Sequence, residues 1–356
     1  MGDSRTVLHV SEAFGGGVVA AVRAHVAASP EFRHLLAFSD RLEAPLTGHD
    51  LDPFDALVTL PHEPLAAIRT IRRAVRKQHV DIVHAHSAIG GALSRLAVRS
   101  SDIPIVYTPH CFAHLRLDRS GFSRAAYRAV EKRMATNTTV YAACAPYEYE
   151  QCEGLDAGVP RVYVPNALTA SDRPPLAATE PDSRPHLLGV GRLFPQKDPE
   201  FFAAAVEAVR AAGFEVDATW IGDGETHLRR RLLAAGIDVT GWLPREESLR
   251  RLAQPGGIYL HSARWEGFPF AILEAHAAGL PLIIRHIPTL AAFAFPHEVR
   301  DPGDVALAVK ELTDPHARAD AVAAADHVLA GNNSELQRSR LLEAYRIALR
   351  SVDAPS

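Results

Sequence analysis

Residues 186–199 read HLLGVGRLFPQKDP, and they carry the change from strand to helix that decides the fold. The apolar run at 186–190 predicts a buried strand. Asp198 followed by Pro199 predicts the cap and the first position of a helix, and Gly213 predicts its end. A strand that passes through a short loop into a long helix is the repeating unit of a parallel α/β sheet.

The same alternation extends from this stretch in both directions along the chain. The predicted strands are residues 7–10, 35–38, 56–60, 81–86, 105–108 and 139–144 in the first half, and 186–190, 217–222, 238–241, 257–263 and 280–285 in the second. Helices are predicted near residues 17–29, 65–78, 88–99, 123–136 and 334–352. A proline-rich stretch without periodicity, residues 166–185, separates the halves and is typical of a linker or a surface excursion. We therefore expect a Rossmann-like domain at residues 1–165, a second at 166–333, and a C-terminal helix within 334–356.

Composition narrows the class of protein further. The chain has 356 residues, of which 47% are hydrophobic and 22% charged, and this is typical of a soluble globular enzyme with two cores. A net charge of −4 argues against bulk nucleic-acid binding. Three cysteines without a CxxC pair favour a reducing compartment and exclude a cysteine-rich zinc site. With no signal-peptide pattern and no apolar run of about 18 residues, we expect a cytoplasmic protein.

Two cations follow the strand at 186–190. Ligands of open parallel sheets bind beyond the carboxyl ends of the strands. Arg192 and Lys197 come after Gly191 at such an end and lead into a helix N-terminus, an arrangement that suits a diphosphate. The alternative is a pair of surface cations without a ligand.

A second loop with polar residues follows the strand at 257–263 and reads RWEGFPFAILE over residues 264–274. Gly267 permits close approach of the backbone to a ligand. Pro269 as the first helical residue would leave the amides of Phe270 and Ala271 free to meet an anion.

Two carboxylates bracket that helix start. Glu266 precedes it and Glu274 lies about one turn inside it. Carboxylates do not help to hold phosphate, but they suit hydroxyl groups on either side of it, those of a ribose and of a hexose. The alternative is that Glu274 is a solvated helix residue and Glu266 a helix cap.

The first half offers weaker candidates. Gly16 and Gly17 belong to a glycine cluster after the first strand, which is weak evidence for a phosphate site. The cluster is not G-x-G-x-x-G, so it argues against a dinucleotide-dependent dehydrogenase. His110 follows the strand at 105–108 and could contact substrate, although a lone histidine is as often structural.

The sequence predicts no metal site. His84 and His86 share one face of a strand, but no carboxylate or cysteine cluster accompanies them, and a metal requires three or four ligands. Asp50 and Asp52 form a D-x-D pattern in a turn rich in Gly, Pro and Asp, and we interpret them as loop residues.

A basic stripe is predicted on the helix near residues 65–78. It consists of Arg69, Arg72, Arg73, Arg76 and Lys77, and an apolar stripe of Leu65, Ile68, Ile71 and Val75 lies on another face. A solvated face is the favoured interpretation. The alternative is contact with an anionic membrane surface, here the inner surface, or with a phosphorylated acceptor.

Taken together, these segments resemble the retaining glycosyltransferases of the GT-B class, family 4. The matching segments, in the order of that family, are residues 15–17, 108–110, 164–166, 191–198, 221–224, 239–242, and the Glu-x7-Glu pattern at 266–274 with 277–281. The resemblance implies two Rossmann-like domains that face each other across a cleft, with the helix of 334–356 crossing back to the first. Ala167 departs from the family, which often has Gly there.

The resemblance also implies roles for individual residues. Catalytic roles fall on His110, Arg192, Lys197 and Glu266. The donor site would comprise Gly16, Gly17, Gly191, Arg192, Lys197, Trp242, Leu243, Glu266, Gly267, Phe268, Pro269, Phe270, Ala271 and Glu274. Within it, Arg192 and Lys197 would bind the diphosphate, Glu274 the ribose, and the segment 241–243 the base.

The reaction implied is metal-independent transfer of a hexose-type sugar, with retention, from a nucleoside-diphosphate sugar to a hydroxyl acceptor. A UDP-sugar is favoured and a GDP-sugar is the alternative, with no cofactor. A nucleotide-sugar epimerase and an inactive binding scaffold of the same architecture remain as rival interpretations.

Overall fold

The computed structural model describes residues 4–40, 46, 48–177 and 184–353. The chain divides into two compact units, a first unit of Met1–Thr169 with Asn332–Ser356 and a second unit of Ala170–Gly331. The units therefore change at 169/170 and 331/332, whereas the sequence places the changes at 165/166 and 333/334.

The first unit is built on a seven-stranded parallel sheet in the order β3-β2-β1-β4-β5-β6-β7. Its strands are β1 (Thr6–Phe14), β2 (Arg33–Asp40), β3 (Ala56–Thr59), β4 (Ile82–His86), β5 (Ile105–Thr108), β6 (Val140–Ala143) and β7 (Arg161–Tyr163). The connecting helices are α1 (Gly17–Ala28), α2 (Gly48–Leu51), α3 (Pro64–Lys77), α4 (Ala88–Ala97), α5 (Gly121–Ala135) and α6 (Pro146–Leu155).

The second unit repeats this architecture with a six-stranded parallel sheet in the order β10-β9-β8-β11-β12-β13. Its strands are β8 (His186–Val190), β9 (Asp217–Ile221), β10 (Asp238–Val239), β11 (Gly257–His261), β12 (Leu282–Arg285) and β13 (His297–Val299). Its helices are α7 (Pro199–Ala211), α8 (Thr226–Ala234), α9 (Arg245–Leu252), α10 (Phe270–Ala277), α11 (Pro302–Glu311) and α12 (Pro315–Val328). In each sheet the strand order reverses beside the first strand, which is where a Rossmann-like fold binds ligands.

The predicted helix punctuation is confirmed in the second unit. The side chain of Asp198 caps α7 by accepting a hydrogen bond from the Phe201 amide at 3.3 Å, and Pro199 is the first helical residue. Gly213 follows the end of α7 with φ +91°.

Helix α13 (Ser334–Asp353) belongs to the first unit although it is last in the chain. Its buried side chains, Leu341 and Tyr345 among them, pack with Val7 of β1 and Ile82 of β4. Because side chains alternate along a strand, the histidines His9 and His84 lie on this same face of the sheet.

Some elements were not predicted. The short strands β7 and β13 and the helices α2, α6, α9, α11 and α12 lie outside the predicted set. Leu65 was expected on the apolar face of α3, but its side chain is 60% exposed. None of the described helices is long and apolar enough to cross a membrane.

The predicted linker is in part wrong. Residues 178–183 lie outside the described residues. Residues 166–169 of the predicted linker belong to the first unit and residues 170–177 to the second, where the Ala177 amide donates to the Ala278 carbonyl and Asp172 is only 2% exposed.

Candidate functional site

The loop after β8 holds Lys197 in a fixed path. Gly191 has φ +136°, and a Cβ added there would lie 2.9 Å from Cε of Lys197, so the lysine stem packs across the glycine backbone. The indole of Trp220 donates to the Gly191 carbonyl at 2.8 Å. This loop therefore requires glycine at 191.

Lys197 is paired with Glu266. Its Nζ lies 2.5 Å from Oε1 of Glu266, and the side-chain amide of Gln196 donates to Glu266 Oε2 at 3.2 Å and to the Trp265 carbonyl at 3.1 Å. The Arg264 amide donates to the Gln196 carbonyl at 2.8 Å. The loops after β8 and β11 are thus joined at the carboxyl edge of the second sheet.

A second ion pair supports the same two loops. Arg285 of β12 lies 2.6 Å from Oδ2 of Asp198 and donates to the Ser262 carbonyl at 3.0 Å. The hydroxyl of Ser262 donates to the Lys197 carbonyl at 2.6 Å. Arg192, on the same loop, lies over the ring of Phe194 at 4.4 Å and is half-buried.

Helix α10 begins one residue later than predicted. Pro269 is its cap in extended conformation, and Phe270 is the first helical residue. The amides of Phe270 and Ala271 therefore lie in the first turn, where helical amides have no carbonyl partner within the helix. The preceding residues Gly267 and Phe268 are buried.

Glu274 is not a solvated residue, and the structure contradicts that alternative. It is only 4% exposed, and its Oε1 lies 2.7 Å from a guanidinium nitrogen of Arg245, which also donates to Asp172 at 3.3 Å. Burial alone would lower the pKa of Arg245, but the charges of Glu274 and Asp172 raise it. Glu266 is likewise not a helix cap, since α10 has no side-chain cap.

Other predicted donor residues of the second unit lie on a separate loop. Trp242 and Leu243 fall between β10 and α9, with Trp242 43% exposed and Leu243 half-buried. An exposed indole is free to stack on a flat ring.

In the first unit, Gly16 and Gly17 stand at the start of α1, at the carboxyl end of β1. Gly16 has φ +56°, and a Cβ at either position would meet nothing within 4 Å. Both residues are exposed. The backbone is therefore accessible here.

His110 follows β5 in a strained turn. It has φ +53°, and Cys111 has φ +98°, conformations that non-glycine residues rarely adopt and that often mark functional sites. The carboxylate of Glu148 on α6 accepts from the amides of Cys111 and Cys144, both at 2.8 Å. Burial raises the pKa of Glu148, although these two amides favour its charged form.

His110 is not a lone histidine. Its Nε2 lies 3.0 Å from Nδ1 of His86, whose Nε2 lies 3.0 Å from Nδ1 of His9. Nε2 of His9 lies 3.0 Å from Nδ1 of His34. Burial lowers the pKa of His110 to about 4, so the ring is neutral at pH 7.

A third histidine, which their spacing in the sequence does not predict, lies beside His84 and His86. Strand β1 brings His9 beside them, so that three ring nitrogens lie within 4.8 Å of one another. However, both nitrogens of His84 already have partners, the hydroxyls of Tyr345 and Thr108 at 2.9 Å. The absence of a metal stays a prediction.

Comparison with known proteins identifies the family. The family described as glycosyl transferases group 1 matches residues 184–336, and the glycosyl transferase 4-like domain matches residues 12–167. The chain belongs to the group 1 glycosyltransferases. Among solved structures, sucrose-phosphate synthase from Thermosynechococcus elongatus matches with a TM-score of 0.78 and 15% identity, over 96% of this chain and 98% of that one. Anabaena HepE, solved in complex with UDP and glucose, matches with 0.73 and 14% over 96% and 99%.

These structural matches confirm the GT-B fold of the glycosyltransferase. Among curated relatives, an Escherichia coli protein is 28% identical over 250 residues, 63% of this chain. It is named UDP-Gal:alpha-D-GlcNAc-diphosphoundecaprenol alpha-1,3-galactosyltransferase. The match spans 62% of the length of that relative.

Sequence reasoning missed several residues of this glycosyltransferase. Arg245, Asp172 and Gln196 touch the predicted glutamates, or pair with residues that do, and Glu148 holds the turn of His110. Arg245 is the first residue of α9 and Asp172 lies in the predicted linker, and both pair with residues that are distant in the sequence. A signal was available only for Gln196, which lies inside the 191–198 segment.

Proposed function

We propose that this chain is a retaining glycosyltransferase that moves a hexose-type sugar from a UDP-sugar to a hydroxyl acceptor. The observation that carries the proposal is the Lys197–Glu266 pair beside the first turn of α10, with the buried Glu274 one turn farther on. A cation, free amides and carboxylates in this order suit a diphosphate flanked by two sets of hydroxyls. Uridine is the favoured base, because the E. coli relative is named for UDP-Gal and HepE was solved with UDP and glucose. Guanosine is the alternative.

The cations act on the leaving group. As the glycosidic bond breaks, the nucleoside diphosphate gains negative charge, and Arg192, Lys197 and the amides of Phe270 and Ala271 stabilise it. Preorganised donors of this kind contribute about 10²–10³ in rate each. We therefore propose that transfer needs no metal ion and no other cofactor.

The carboxylates hold hydroxyl groups. Glu274 binds the ribose and Glu266 the transferred sugar, with the backbone from Gly267 to Ala271 completing the sugar pocket. When the diphosphate binds Lys197, it takes the place of Glu266 as the partner of the ammonium group. Glu266 is then free to accept hydrogen bonds from the sugar.

Retention follows from attack on the face that the leaving group departs from. The acceptor oxygen forms a bond to the anomeric carbon as the bond from that carbon to the phosphate oxygen breaks. The acceptor's proton passes to the departing phosphate oxygen. This step comes from the family resemblance, and it requires no carboxylate nucleophile beneath the anomeric carbon.

The remaining predicted residues complete the donor site. Trp242 and Leu243 contact the base, Gly16 and Gly17 approach the diphosphate, and His110 contacts the sugar. Gly16 and Gly17 offer accessible backbone for this role.

The test is nucleotide binding followed by transfer. We expect a rise in melting temperature with UDP that does not depend on magnesium, since a ligand at 100 times its Kd adds about 2.7 kcal/mol. Lys197→Ala and Glu274→Ala abolish transfer while the protein stays folded, whereas Lys310→Ala, at an exposed position on α11, keeps full activity. Full activity in either site variant would refute the site.

Two rival functions give different results in the same assay. An epimerase would convert the UDP-sugar without any acceptor. An inactive scaffold would bind UDP and convert nothing. A melting shift with NAD alone would point to a dehydrogenase.

We also propose peripheral contact of the first unit with an anionic inner membrane surface of the cell. Arg69, Arg73, Arg76 and Lys77 on α3 are exposed, and Arg72 and Arg76 line a groove of about 820 Å³. Arg72 also donates to the carbonyls of Ala97 and Leu96 at 2.7 and 2.9 Å, so it has a structural role as well. Each cation near such a surface contributes about 1 kcal/mol.

Vesicle sedimentation tests this contact. Binding to anionic vesicles should fall when Arg69, Arg73 and Lys77 are changed to Gln. Neutral vesicles serve as the control. Equal sedimentation of both proteins would leave α3 as a solvated face.

A further inference from the structure

Four buried or half-buried imidazoles form a row across the first sheet. The row starts at the Ser29 carbonyl, 2.8 Å from Nε2 of His34, and continues through His9 and His86 to His110 with 3.0 Å at each step. Strands β2, β1 and β4 and the turn after β5 each supply one ring. The row thus ends at the residue for which the family resemblance predicts a sugar contact.

The chemistry of the first acceptor fixes the direction of every hydrogen bond in the row. A carbonyl oxygen only accepts, so Nε2 of His34 carries a proton, and Nδ1 of a neutral His34 must accept. His9 therefore donates from Nε2 and accepts at Nδ1. By the same rule, His86 donates from Nε2 to His9 and accepts at Nδ1. His110 then donates from Nε2 to His86, so its proton lies on Nε2.

The remaining nitrogen of His110 is left as an acceptor. Among the described residues, none makes a hydrogen bond with its Nδ1. A neutral ring in this tautomer accepts a hydrogen bond from a hydroxyl, but it can neither donate from Nδ1 nor present a positive charge to a phosphate.

We propose that His34, His9 and His86 are positioning residues that hold His110 with Nδ1 ready to accept a hydrogen bond from a hydroxyl of the transferred sugar. The nature of this ligand rests on the proposed function, whereas the tautomer does not. Residues that never touch substrate would thus set what His110 can recognise.

The surroundings keep the row neutral. Burial lowers the pKa of His9 and His86 well below the usual value, and repulsion by neighbouring histidines adds to this. The groups that face the row are the rings of His25 and His84 and, beside His34, the carboxylates of Asp55 and Glu31.

A metal shared by His9, His84 and His86 is the competing interpretation. Since each histidine would give one ring nitrogen to the metal, binding would break one of the two hydrogen bonds that His84 makes, to Tyr345 or to Thr108, and at least one bond of the row. The hydrogen-bonded row satisfies these nitrogens without such a change, so the geometry favours it.

The test reads the tautomers directly. In protein with ¹⁵N-labelled histidine, free of substrate and at pH 7.5, two-bond ¹H–¹⁵N spectra distinguish the protonated from the bare ring nitrogen. We expect His110, assigned by its loss in His110→Asn, to show a proton on Nε2 only. A proton on Nδ1 of His110 in the wild-type protein would overturn the proposal, and this result requires only that His110→Asn folds.

A pair of matched variants tests whether the row sets this tautomer. His9→Leu removes the acceptor of His86, so a second tautomer of His110 should appear. His84→Leu is the control. The ring centroid of His84 lies 5.3 Å from that of His9 and 4.2 Å from that of His86, and His84 is equally buried but lies outside the row. An unchanged His110 spectrum in His9→Leu would overturn the proposal, and so would the same change in both variants.

Two more measurements separate the outcomes. Zinc chloride added to EDTA-treated protein should leave the imidazole signals unchanged, and their stoichiometric loss would replace the row by a metal site. With a UDP-sugar and an acceptor, His9→Leu should lower kcat/KM roughly tenfold below His84→Leu. If the wild-type protein transfers no sugar, the proposed function fails while the spectra still test the row.

Discussion

The carboxyl edges of the two sheets are built from opposite kinds of side chain. In the first unit, the edge consists of neutral imidazoles, the last of which is His110 in a strained turn. In the second, the edge consists of ion pairs such as Lys197 with Glu266 and Arg245 with Glu274. Ion pairs whose cation is partly exposed can exchange one partner for a charged ligand, whereas buried neutral groups can only orient a hydrogen bond. The comparison predicts that the charged groups of the donor are held mainly by the second unit, whereas His110 of the first unit contacts an uncharged hydroxyl group.

The largest effect that we expect is at low pH, which should destabilise the first unit more than the second. Burial lowers the pKa of His9, His84 and His86 well below 6.5, that of His25 to about 3 and that of His110 to about 4. Above pH 6.5 these groups are neutral in both the folded and the unfolded chain. As the pH falls below 6.5, only the unfolded chain takes up protons, so the first unit loses about 1.4 kcal/mol per pH unit for each histidine.

Tryptophan fluorescence reports on the second unit alone and can be compared with amide exchange in the first. All three tryptophans, Trp220, Trp242 and Trp265, lie in the second unit, whose described histidines with lowered pKa are only His186 and His261. Between pH 7.5 and 5.5 we expect amide-exchange protection of β1 and β4 to fall by several kcal/mol before tryptophan fluorescence changes. Equal protection at both pH values would contradict the prediction.

Removal of Glu148 should have the next largest effect. Glu148→Ala removes the acceptor of the half-buried Cys111 amide and of the buried Cys144 amide, and the loss at the buried amide alone costs about 1–3 kcal/mol. Glu150→Ala, at an exposed position on the same helix, is the control and should change the unfolding free energy by less than about 0.5 kcal/mol. Urea unfolding measures both variants. A loss no larger than that of the control would show that Glu148 does not hold the turn of His110.

Substitutions at Lys197 and at Glu266 should change the affinity for UDP in opposite directions. Lys197→Ala removes a cation and should weaken UDP binding by about 10- to 100-fold, since hydrogen bonds to charged groups contribute about 1.5–3 kcal/mol. Glu266→Gln removes the competing partner of Lys197, so UDP should bind at least as tightly while transfer falls. Isothermal titration calorimetry with UDP compares the two. If Glu266→Gln weakens UDP as strongly as Lys197→Ala, Glu266 holds Lys197 in place and does not compete with the diphosphate.

How much the sequence predicts differs between the units for a physical reason. Local signals sufficed for all strands except β7 and β13, for the cap at Asp198 and for the loops that carry Lys197 and Glu266, because each depends on neighbours in the chain. Residues recruited from distant segments could not be predicted. Asp172 reaches Arg245 across 73 positions, and His9 reaches His86 across 77, so neither pair has a local spacing.

The same limit explains the interpretation of His110. As a single histidine after a strand, it is ambiguous. Parallel pairing of β1 with β4 sets His9 level with His84, and this register is what joins the imidazoles into a row. The short elements β7 and β13, with three residues each, were missed because so few residues show no periodicity.

Gly17→Ala should have the smallest effect on stability. Gly17 lies where the backbone of the first unit is predicted to contact phosphate, so this variant tests whether the first unit takes part in binding the diphosphate. A Cβ at position 17 meets nothing within 4 Å, and alanine favours the helix that begins there, so the melting temperature should stay or rise slightly, by less than about 1 kcal/mol of stability. Because the fold is unaffected, a loss of UDP affinity in titration calorimetry would report directly on contact between this backbone and the diphosphate. Gly213→Ala, where a Cβ also meets nothing but φ is +91°, is the control for stability alone. UDP affinity that is unchanged in Gly17→Ala would assign the diphosphate to the second unit only, and the first unit would then recognise hydroxyls through His110 and nothing charged.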